Sequence, residues 1–317
     1  MAKALVTGGA GFIGSHIAEA LIKKDYEVRV IDNLFTGKME NLKEAIKDIE
    51  FIKGDICDYD LLQKCTKDVD FIFHEAALRN VRVSVERPYD YNKTNITGTL
   101  NVLNAAKENN VKRVIFASSS SVYGDSTKYP FNEKQKPAPA SPYAITKIAG
   151  EYYLNVFYKL YSLETISLRY FTVYGPRQDP KSQYATMIPI VIDKVMNNKN
   201  PEIFGNGEQS RDFTYVEDVV NGNLAAMVAG KKACSHTFNL AGGKSISVNY
   251  VCKKINEYLG KKIAAKYVPK KLGDITKTQA DPTKAKKMLG FECKVSFDEG
   301  LKRTVDWFKN HPECLDE

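Results

Sequence analysis

Residues 3–25, "KALVTGGAGFIGSHIAEALIKKD", give the clearest indication of the fold in the chain. A short apolar run leads into three glycines at a spacing of three, Gly8, Gly11 and Gly14, and apolar residues then recur at helical spacing. The pattern predicts a β-strand, a tight turn and an α-helix in succession. Because glycine lacks a Cβ atom, such a turn lets the backbone approach a pyrophosphate at the positive end of the helix.

An acidic residue follows at the expected distance. Asp32 closes the next apolar run, "EVRVID", 18 residues past Gly14. A carboxylate at that position suits hydrogen bonds to the ribose hydroxyls of an adenosine and repels a 2′-phosphate. The combination predicts a dinucleotide site for NAD rather than NADP.

The rest of the first half alternates between apolar runs and helical patterns, and "MENLKEAIKD" (39–48) and "TNITGTLNVLNAAKENN" (94–110) are among the segments predicted to be helical. Near-continuous apolar strands of this kind are typical of a parallel sheet covered on both faces, so we expect an α/β fold with a doubly wound parallel (Rossmann) sheet. Proline and turn residues become frequent after residue 175. We therefore expect residues 1–175 to form the NAD-binding domain, to which the chain returns later, and residues 176–317 to form mainly a smaller C-terminal substrate-binding lobe.

Two later loops are expected to reach the cofactor, because ligands of open α/β sheets bind at the carboxyl ends of the strands. They are "GDI", with Asp55 expected near the adenine, and "HEAA", with Ala76 expected at the cofactor backbone. For His74 and Glu75 we expect roles in the core or at the sheet edge.

Composition excludes several classes of function. The six cysteines and four histidines are scattered without a metal-binding spacing, so no metal is expected. The net charge of +8 comes from dispersed lysine doublets, which predict neither nucleic-acid nor membrane binding. No apolar stretch reaches the length of a bilayer span, and the amino terminus lacks a signal-peptide pattern, so we expect a cytoplasmic protein.

Hydroxyl groups and one lysine provide the candidate chemistry. "FASSSSVYG" (116–124) places a row of serines after an apolar run. "SPYAITK" (141–147) opens a predicted helix, with Ser141 as its cap and Pro142 in its first turn, and places Tyr143 and Lys147 one helical turn apart. A free phenol has a pKa near ~10, which a nearby cation, together with a positive nicotinamide ring, is expected to lower. Tyr143 would then serve as a base, and a serine would hydrogen bond to the reacting oxygen.

Four motifs in this order, "TGGAGFIG", "ASSSSVYG", "SPYAITK" and "RDFTYVEDV", resemble the extended short-chain dehydrogenase/reductase superfamily and its NAD-dependent nucleotide-sugar 4-epimerases. The resemblance covers nearly the whole chain. It implies Ser119, Tyr143 and Lys147 as catalytic residues. The implied cofactor-binding residues are Gly8, Gly11, Phe12, Ile13, Gly14, Asp32, Asn33, Gly37, Asp55, Ile56, Ala76, Ala77, Tyr143, Lys147 and Tyr170.

The resemblance also implies a UDP-sugar substrate, held by Ser120, Ser121, Thr172, Thr186, Met187, Arg211, Lys271, Asp274 and Thr278. Related dehydratases and decarboxylases have acids where Ser120 and Ser121 stand, which favours an epimerase over a lyase. Thr172 is common in UDP-glucuronate 4-epimerases, whereas "GPRQDPKSQYATMIP" resembles the UDP-N-acetylhexosamine branch, and Asp179 would repel a sugar carboxylate if it points inward. Thr278 stands at a gate position where a small residue leaves room for an N-acetyl group.

We therefore expect reversible 4-epimerisation of UDP-N-acetylglucosamine and UDP-N-acetylgalactosamine. UDP-glucose/UDP-galactose or UDP-glucuronate 4-epimerisation is the alternative, and a 4,6-dehydratase or a non-catalytic NAD-binding protein is expected less. The resemblance implies a homodimer paired through helices near residues 95–109 and 143–160. Apolar and aromatic residues on the second helix, among them Tyr152 and Phe157, are equally compatible with an intramolecular core.

Overall fold

The computed structural model describes residues 1–182, 186–270 and 276–315. Its strands are β1 (Lys3–Thr7), β2 (Glu27–Asp32), β3 (Ile49–Lys53), β4 (Phe71–His74), β5 (Arg113–Ser119), β6 (Glu164–Tyr170), β7 (Val173–Tyr174), β8 (Glu202–Phe204), β9 (Ser210–Asp212), β10 (Thr214–Tyr215), β11 (His236–Leu240), β12 (Ser245–Ser247) and β13 (Lys266–Val268). Its α-helices are α1 (Phe12–Ile22), α2 (Tyr59–Cys65), α3 (Val81–Glu86), α4 (Pro88–Tyr91), α5 (Gly98–Glu108), α6 (Pro142–Tyr161), α7 (Met187–Met196), α8 (Val216–Val228), α9 (Val248–Leu259), α10 (Thr283–Leu289) and α11 (Phe297–Asn310).

The central sheet has the order β3-β2-β1-β4-β5-β6-β11, and all its pairings are parallel. The strand order reverses between β1 and β4, so the loops after these two strands diverge and leave a crevice at their carboxyl ends. The last strand, β11, comes from a part of the chain far beyond residue 175. The predicted fold class, an α/β protein with a doubly wound parallel sheet, is confirmed.

Helices cover both faces of the sheet because successive strand residues point to opposite sides. In β1, Val6 belongs to the apolar cluster on one face, which includes residues of α1 and α8, whereas Leu5 belongs to the cluster on the other face, with residues of α2, α5 and α6. Both side chains are fully buried. The buried apolar area on both faces stabilises the sheet and holds the ends of its strands in place.

A third apolar cluster lies in the C-terminal part of the chain. It combines residues of α7, α9 and α11, such as Val191, Val251 and Val305, which are at most 2% exposed. Two short pairs of strands, β7 with β10 and β9 with β12, contribute residues both to this cluster and to the crevice wall, such as Val173 and Arg211 in the wall, and β8 pairs with β13. One wall of the crevice therefore comes from the C-terminal part of the chain.

Two helical segments differ from the sequence prediction. Residues 39–48 were expected to be helical, but the structure forms only a short 3-10 turn at Met39–Leu42 followed by further turns. Leu42 and Ala45 are three residues apart and both buried. Backbone hydrogen bonds between residues three apart, such as that from the Ala45 amide to the Leu42 carbonyl oxygen, satisfy the polar backbone groups of this stretch without an α-helix. In the segment 94–110, a π-helical turn at Asn92–Thr97 precedes the regular helix α5.

Among the described residues, the structure has no helix that combines the length and the apolar character needed to span a bilayer.

Candidate active site

A cleft of about 670 Å³ lies at the carboxyl ends of the central strands. Its floor is formed by the glycine turn after β1 and by the loops after β2, β3, β4 and β5. Residues of the C-terminal part, including Thr186, Arg211 and Thr278, line its other wall. The cleft therefore opens at the position where doubly wound sheets bind their ligands.

The glycine turn forms a cradle that a side chain would fill. Gly8 has a φ of +69°, and a Cβ atom there would lie 2.7 Å from the Ala76 nitrogen. A Cβ atom on Gly14 would lie 2.3 Å from the Gly8 oxygen. Helix α1 begins directly after Gly11, which has no side chain to cap it, so the first N–H groups of the helix are available to an anion.

Asp32 is the second element of the predicted cofactor site. Its carboxylate accepts hydrogen bonds from the Ala10 and Leu34 amides at 3.0 and 2.8 Å, and burial raises its pKa. Gly37 does not line the cleft, but a Cβ atom there would lie 2.8 Å from this carboxylate, so the glycine leaves room for it.

Asp55 lies one strand further along and accepts a hydrogen bond from the Asn33 side chain at 2.9 Å. With the glycine cradle, the two carboxylates form a site that fits a dinucleotide such as NAD. The predicted cofactor-binding residues that line the cleft are Gly8, Gly11, Phe12, Ile13, Gly14, Asp32, Asn33, Asp55, Ile56, Ala76, Ala77, Tyr143 and Tyr170.

The serine row and the tyrosine meet at this cleft. Ser119 ends β5, and a 3-10 turn at Ser120–Tyr123 follows it. Helix α6 starts with Pro142, and the Ser141 hydroxyl accepts a hydrogen bond from the Ala144 amide, which aims the first turn of the helix at the end of β5. The Ser119 hydroxyl accepts a hydrogen bond from the Ser121 amide at 3.1 Å and lies close enough to the Tyr143 phenol to lower the pKa of that phenol.

Lys147 lies beneath the cleft rather than in its lining. Its amino group donates a hydrogen bond to the Ala117 carbonyl oxygen at 2.8 Å and lies 5.9 Å from the centre of the Tyr143 ring. The side chain is buried, and burial lowers its pKa to about 8, while the charge of Glu75 raises it. In the protein alone, Lys147 is thus held by the sheet and faces a negative charge.

The pKa of Tyr143 does not follow the sequence prediction in the protein alone. Burial raises it, and the Ser119 hydroxyl and the charge of Arg79 oppose this rise. The lowered pKa stays a prediction for the protein with its cationic cofactor. Arg79, which sequence reasoning missed, also lines the cleft, and the only signal for it was its place in the loop after "HEAA".

His74 and Glu75 have different environments although they are neighbours. His74 is buried and hydrogen bonds to the Thr7 and Thr99 hydroxyls, and burial lowers its pKa to about 3. Glu75 lines the cleft and accepts a hydrogen bond from the Tyr170 hydroxyl at 2.7 Å. His74 has the core position that was expected, whereas sequence reasoning missed the place of Glu75 in the cleft.

Small hydroxyl side chains line the far end of the cleft. Ser120, Ser121, Thr172, Thr186 and Thr278 are all in its wall, together with Arg211. The buried Ser121 hydroxyl has no hydrogen-bond partner among the described residues, so it is available to a ligand. Thr278 is held by a hydrogen bond that its hydroxyl accepts from the Asp212 amide at 3.1 Å.

Of the predicted substrate residues that the structure describes, only Met187 does not line the cleft. Met187 begins α7 and packs against the C-terminal apolar cluster instead. The helix turns this side chain away because its first turn buries an apolar face. Lys271 and Asp274 lie outside the described residues.

Asp179 does line the cleft, but its charge is compensated. Its carboxylate forms an ion pair with Lys38 at 2.8 Å. Burial acts to raise the pKa of Asp179, and the hydrogen bond and charge of Lys38 outweigh it, so the pKa is lowered. The expected repulsion of a sugar carboxylate is therefore weakened.

Comparison with known proteins identifies the family of this chain. The sequence pattern of the NAD dependent epimerase/dehydratase family matches residues 4–241. A putative UDP-glucose 4-epimerase of Methanocaldococcus jannaschii is 41% identical over 309 residues, which are 97% of this chain and 98% of that protein.

Two solved structures share the fold over nearly their full length. The UDP-glucose 4-epimerase of Thermotoga maritima with UDP-glucose has a TM-score of 0.94 and 40% identity, over 98% of this chain and 99% of that one. The UDP-N-acetylglucosamine 4-epimerase of Methanobrevibacter ruminantium, in complex with UDP-N-acetylmuramic acid, has a TM-score of 0.92 and 42% identity, with the same coverage. The chain therefore belongs to the NAD dependent epimerase/dehydratase family, as an enzyme whose cofactor is NAD.

Proposed function

We propose that this enzyme reversibly interconverts UDP-N-acetylglucosamine and UDP-N-acetylgalactosamine through a 4-keto sugar, using tightly bound NAD. The observation that carries the reaction type is that Ser119 and Tyr143 line the same cleft as the glycine cradle, with Ser119 close enough to lower the pKa of Tyr143. A proton acceptor and a dinucleotide site in one cleft are what oxidation of a sugar alcohol requires.

The residues of the chain act on the proton. Tyr143 takes the proton of the sugar 4-hydroxyl, and Ser119 holds that oxygen by a hydrogen bond. When bound, NAD supplies the acceptor and then the donor of the hydride. After the 4-keto sugar has turned over, Tyr143 returns the proton to the same oxygen, so the product has the opposite configuration at C4 and an unchanged mass.

Charge near the phenol supports this role. The Arg79 guanidinium lowers the pKa of Tyr143, and we propose that Lys147 adds to this effect when it contacts the cofactor ribose. Ser120 and Ser121 have no carboxyl group with which to protonate a leaving hydroxyl, so elimination is disfavoured. We also propose that residues 1–175 bind NAD and that residues 176–317 bind mainly the UDP-sugar.

The choice of sugar rests on the far end of the cleft. A small Thr278 leaves room for an N-acetyl group. UDP-glucuronate is the second candidate, favoured by the hydroxyl of Thr172 and by the Lys38–Asp179 ion pair, which offsets the negative charge of Asp179.

Proton NMR of the anomeric region tests the proposal. Purified enzyme without added NAD should convert UDP-N-acetylglucosamine into an equilibrium mixture with UDP-N-acetylgalactosamine. Parallel samples with UDP-glucose and UDP-glucuronate separate the candidates. If UDP-N-acetylglucosamine remains a single sugar while UDP-glucuronate reacts, the choice of substrate is wrong, and if mass spectrometry finds loss of water, the reaction type is wrong.

A homodimer is the oligomeric state that we propose. Four apolar side chains lie along one exposed face of α6 at helical spacing, Ile145, Tyr152, Val156 and Leu160, each at least 43% exposed. Burial of this stripe against a second copy would remove apolar surface from water. Sedimentation equilibrium should give twice the chain mass for the unaltered protein and the chain mass for Tyr152→Lys.

A further inference from the structure

Glu75 is an acidic residue of the cleft for which the proposed chemistry has no role so far. It follows β4 directly, between the ends of β1 and β5. Its carboxylate accepts a hydrogen bond from the Tyr170 hydroxyl, which in turn accepts one from the Asn223 side chain at 2.7 Å. Residues from β6 and α8 thus hold the carboxylate in one position.

The charge of Glu75 acts at the reacting end of the cleft. It raises the pKa of Tyr143 and the pKa of Lys147, so the carboxylate lies within electrostatic range of both. Asp32 and Asp55, in contrast, lie at the carboxyl ends of β2 and β3, on the other side of the glycine turn. Of these three carboxylates, Glu75 is the one that acts on the proposed base, whereas Asp32 and Asp55 lie near the expected adenosine.

The proposed reaction determines what Glu75 faces. Tyr143 takes the proton from the sugar oxygen, and the hydride leaves the carbon that carries this oxygen, so the nicotinamide ring must come within a few ångström of the phenol. The oxidised ring carries a positive charge. Its reduction by one hydride, which brings two electrons and one proton, removes that charge.

We propose that the Glu75 carboxylate makes the cleft select the oxidised, cationic form of the nicotinamide over the reduced, neutral form. This inference rests on the proposed function in one respect, which is the placement of the nicotinamide ring beside Tyr143. Between turnovers, Glu75 keeps the resident cofactor oxidised and ready to accept a hydride. The residue acts on the charge of the cofactor and leaves the proton transfer to Tyr143.

The test measures affinities for NAD and NADH in the absence of sugar, so it is independent of the substrate. The full chain, freed of nucleotide, is titrated with NADH by its fluorescence and then with NAD in competition, at pH 7.5. Glu75→Gln keeps an oxygen for the Tyr170 hydroxyl and removes only the charge. The NAD-to-NADH affinity ratio should fall at least tenfold, which corresponds to a rise of about 30 mV in the potential of the bound two-electron couple.

Asp55→Asn is the matched control, because it removes a carboxylate from the same cleft at the end where NAD and NADH are identical. It should weaken both forms equally and leave the ratio unchanged. An unchanged ratio in Glu75→Gln, or the same fall in both variants, would overturn the proposal.

The unaltered chain provides a second measurement that needs no variant. Burial raises the pKa of Glu75 to about 7, while the Tyr170 hydrogen bond and the Lys147 charge lower it. The groups that face the Glu75 carboxyl group are Tyr143 and Lys147 on α6, Tyr170 on β6 and Asn223 on α8. Lys147 has a pKa of about 8, so it stays mostly charged below pH 7.5. The affinity ratio should therefore rise between pH 5.5 and 7.5, and a constant ratio would contradict the role of Glu75.

Discussion

The replacement of Glu75 by glutamine should stabilise the nucleotide-free protein at pH 8 and stabilise it much less at pH 5. The carboxyl group has an ordinary pKa of 4.5, which burial raises to about 7 in the folded protein. Because the pKa is raised, the folded state disfavours the ionised form. The stability associated with the protonated group is present below pH 4.5 and is lost as the pH rises through 7.

The size of the effect follows from these two pKa values. The difference corresponds to at most about 3 kcal/mol, since one pKa unit is about 1.36 kcal/mol, and the partial solvent accessibility of Glu75 reduces it further. Glutamine remains neutral at every pH and removes this cost. With an unfolding entropy of about 2.1 cal/mol/K per residue, 3 kcal/mol corresponds to a Tm higher by about 4 °C for this chain length.

Differential scanning calorimetry of the nucleotide-free protein and of Glu75→Gln at pH 5 and pH 8 measures this difference. Asp55→Asn serves as a control in which the change of stability has the opposite sign. Burial acts to raise the pKa of Asp55, but hydrogen bonds from the Cys57 amide and the Asn33 side chain outweigh burial and lower the pKa. This control should lose stability by the same amount at both pH values. An equal gain for Glu75→Gln at pH 5 and pH 8 would refute the argument, because a charge-independent packing effect would then explain it.

Three further variants test the site. Tyr143→Phe should reduce epimerisation by at least about 10²-fold because the proton acceptor is lost; NAD should remain detectable in the denatured extract, and full turnover would refute the base assignment. Thr278→Tyr should slow UDP-N-acetylglucosamine turnover much more than UDP-glucose turnover, and equal losses measured by NMR would remove the gate argument. Gly14→Ala should lose bound NAD and about 1–3 kcal/mol of stability, since its Cβ atom would lie 2.3 Å from the Gly8 oxygen. The control Gly230→Ala, with no atom within 4 Å of its Cβ, should change neither the bound NAD nor the stability. Normal NAD retention by Gly14→Ala would contradict the role of the glycine cradle.

Local patterns predicted the elements whose signals lie close together in the chain. Pro142 and the capping Ser141 indicated where α6 begins, and the structure places both at that start. The segment 39–48 was predicted wrongly, because its buried residues recur at a spacing that tight turns satisfy as well as a helix does. A periodicity over so few residues does not distinguish a series of tight turns from an α-helix.

The amino-acid sequence was sufficient to predict the strand, glycine turn and helix of the dinucleotide site, the position of Asp32 and the one-turn spacing of Tyr143 and Lys147. These features depend on backbone conformation and on residues that are near one another in the chain. The folded structure was needed to find that Lys147 bonds to the sheet, that Arg79 acts on the phenol, and that Glu75 lies in the cleft while its neighbour His74 is buried in the core. The burial and the charge of a side chain depend on partners from distant strands and helices, and these meet only when the sheet has formed.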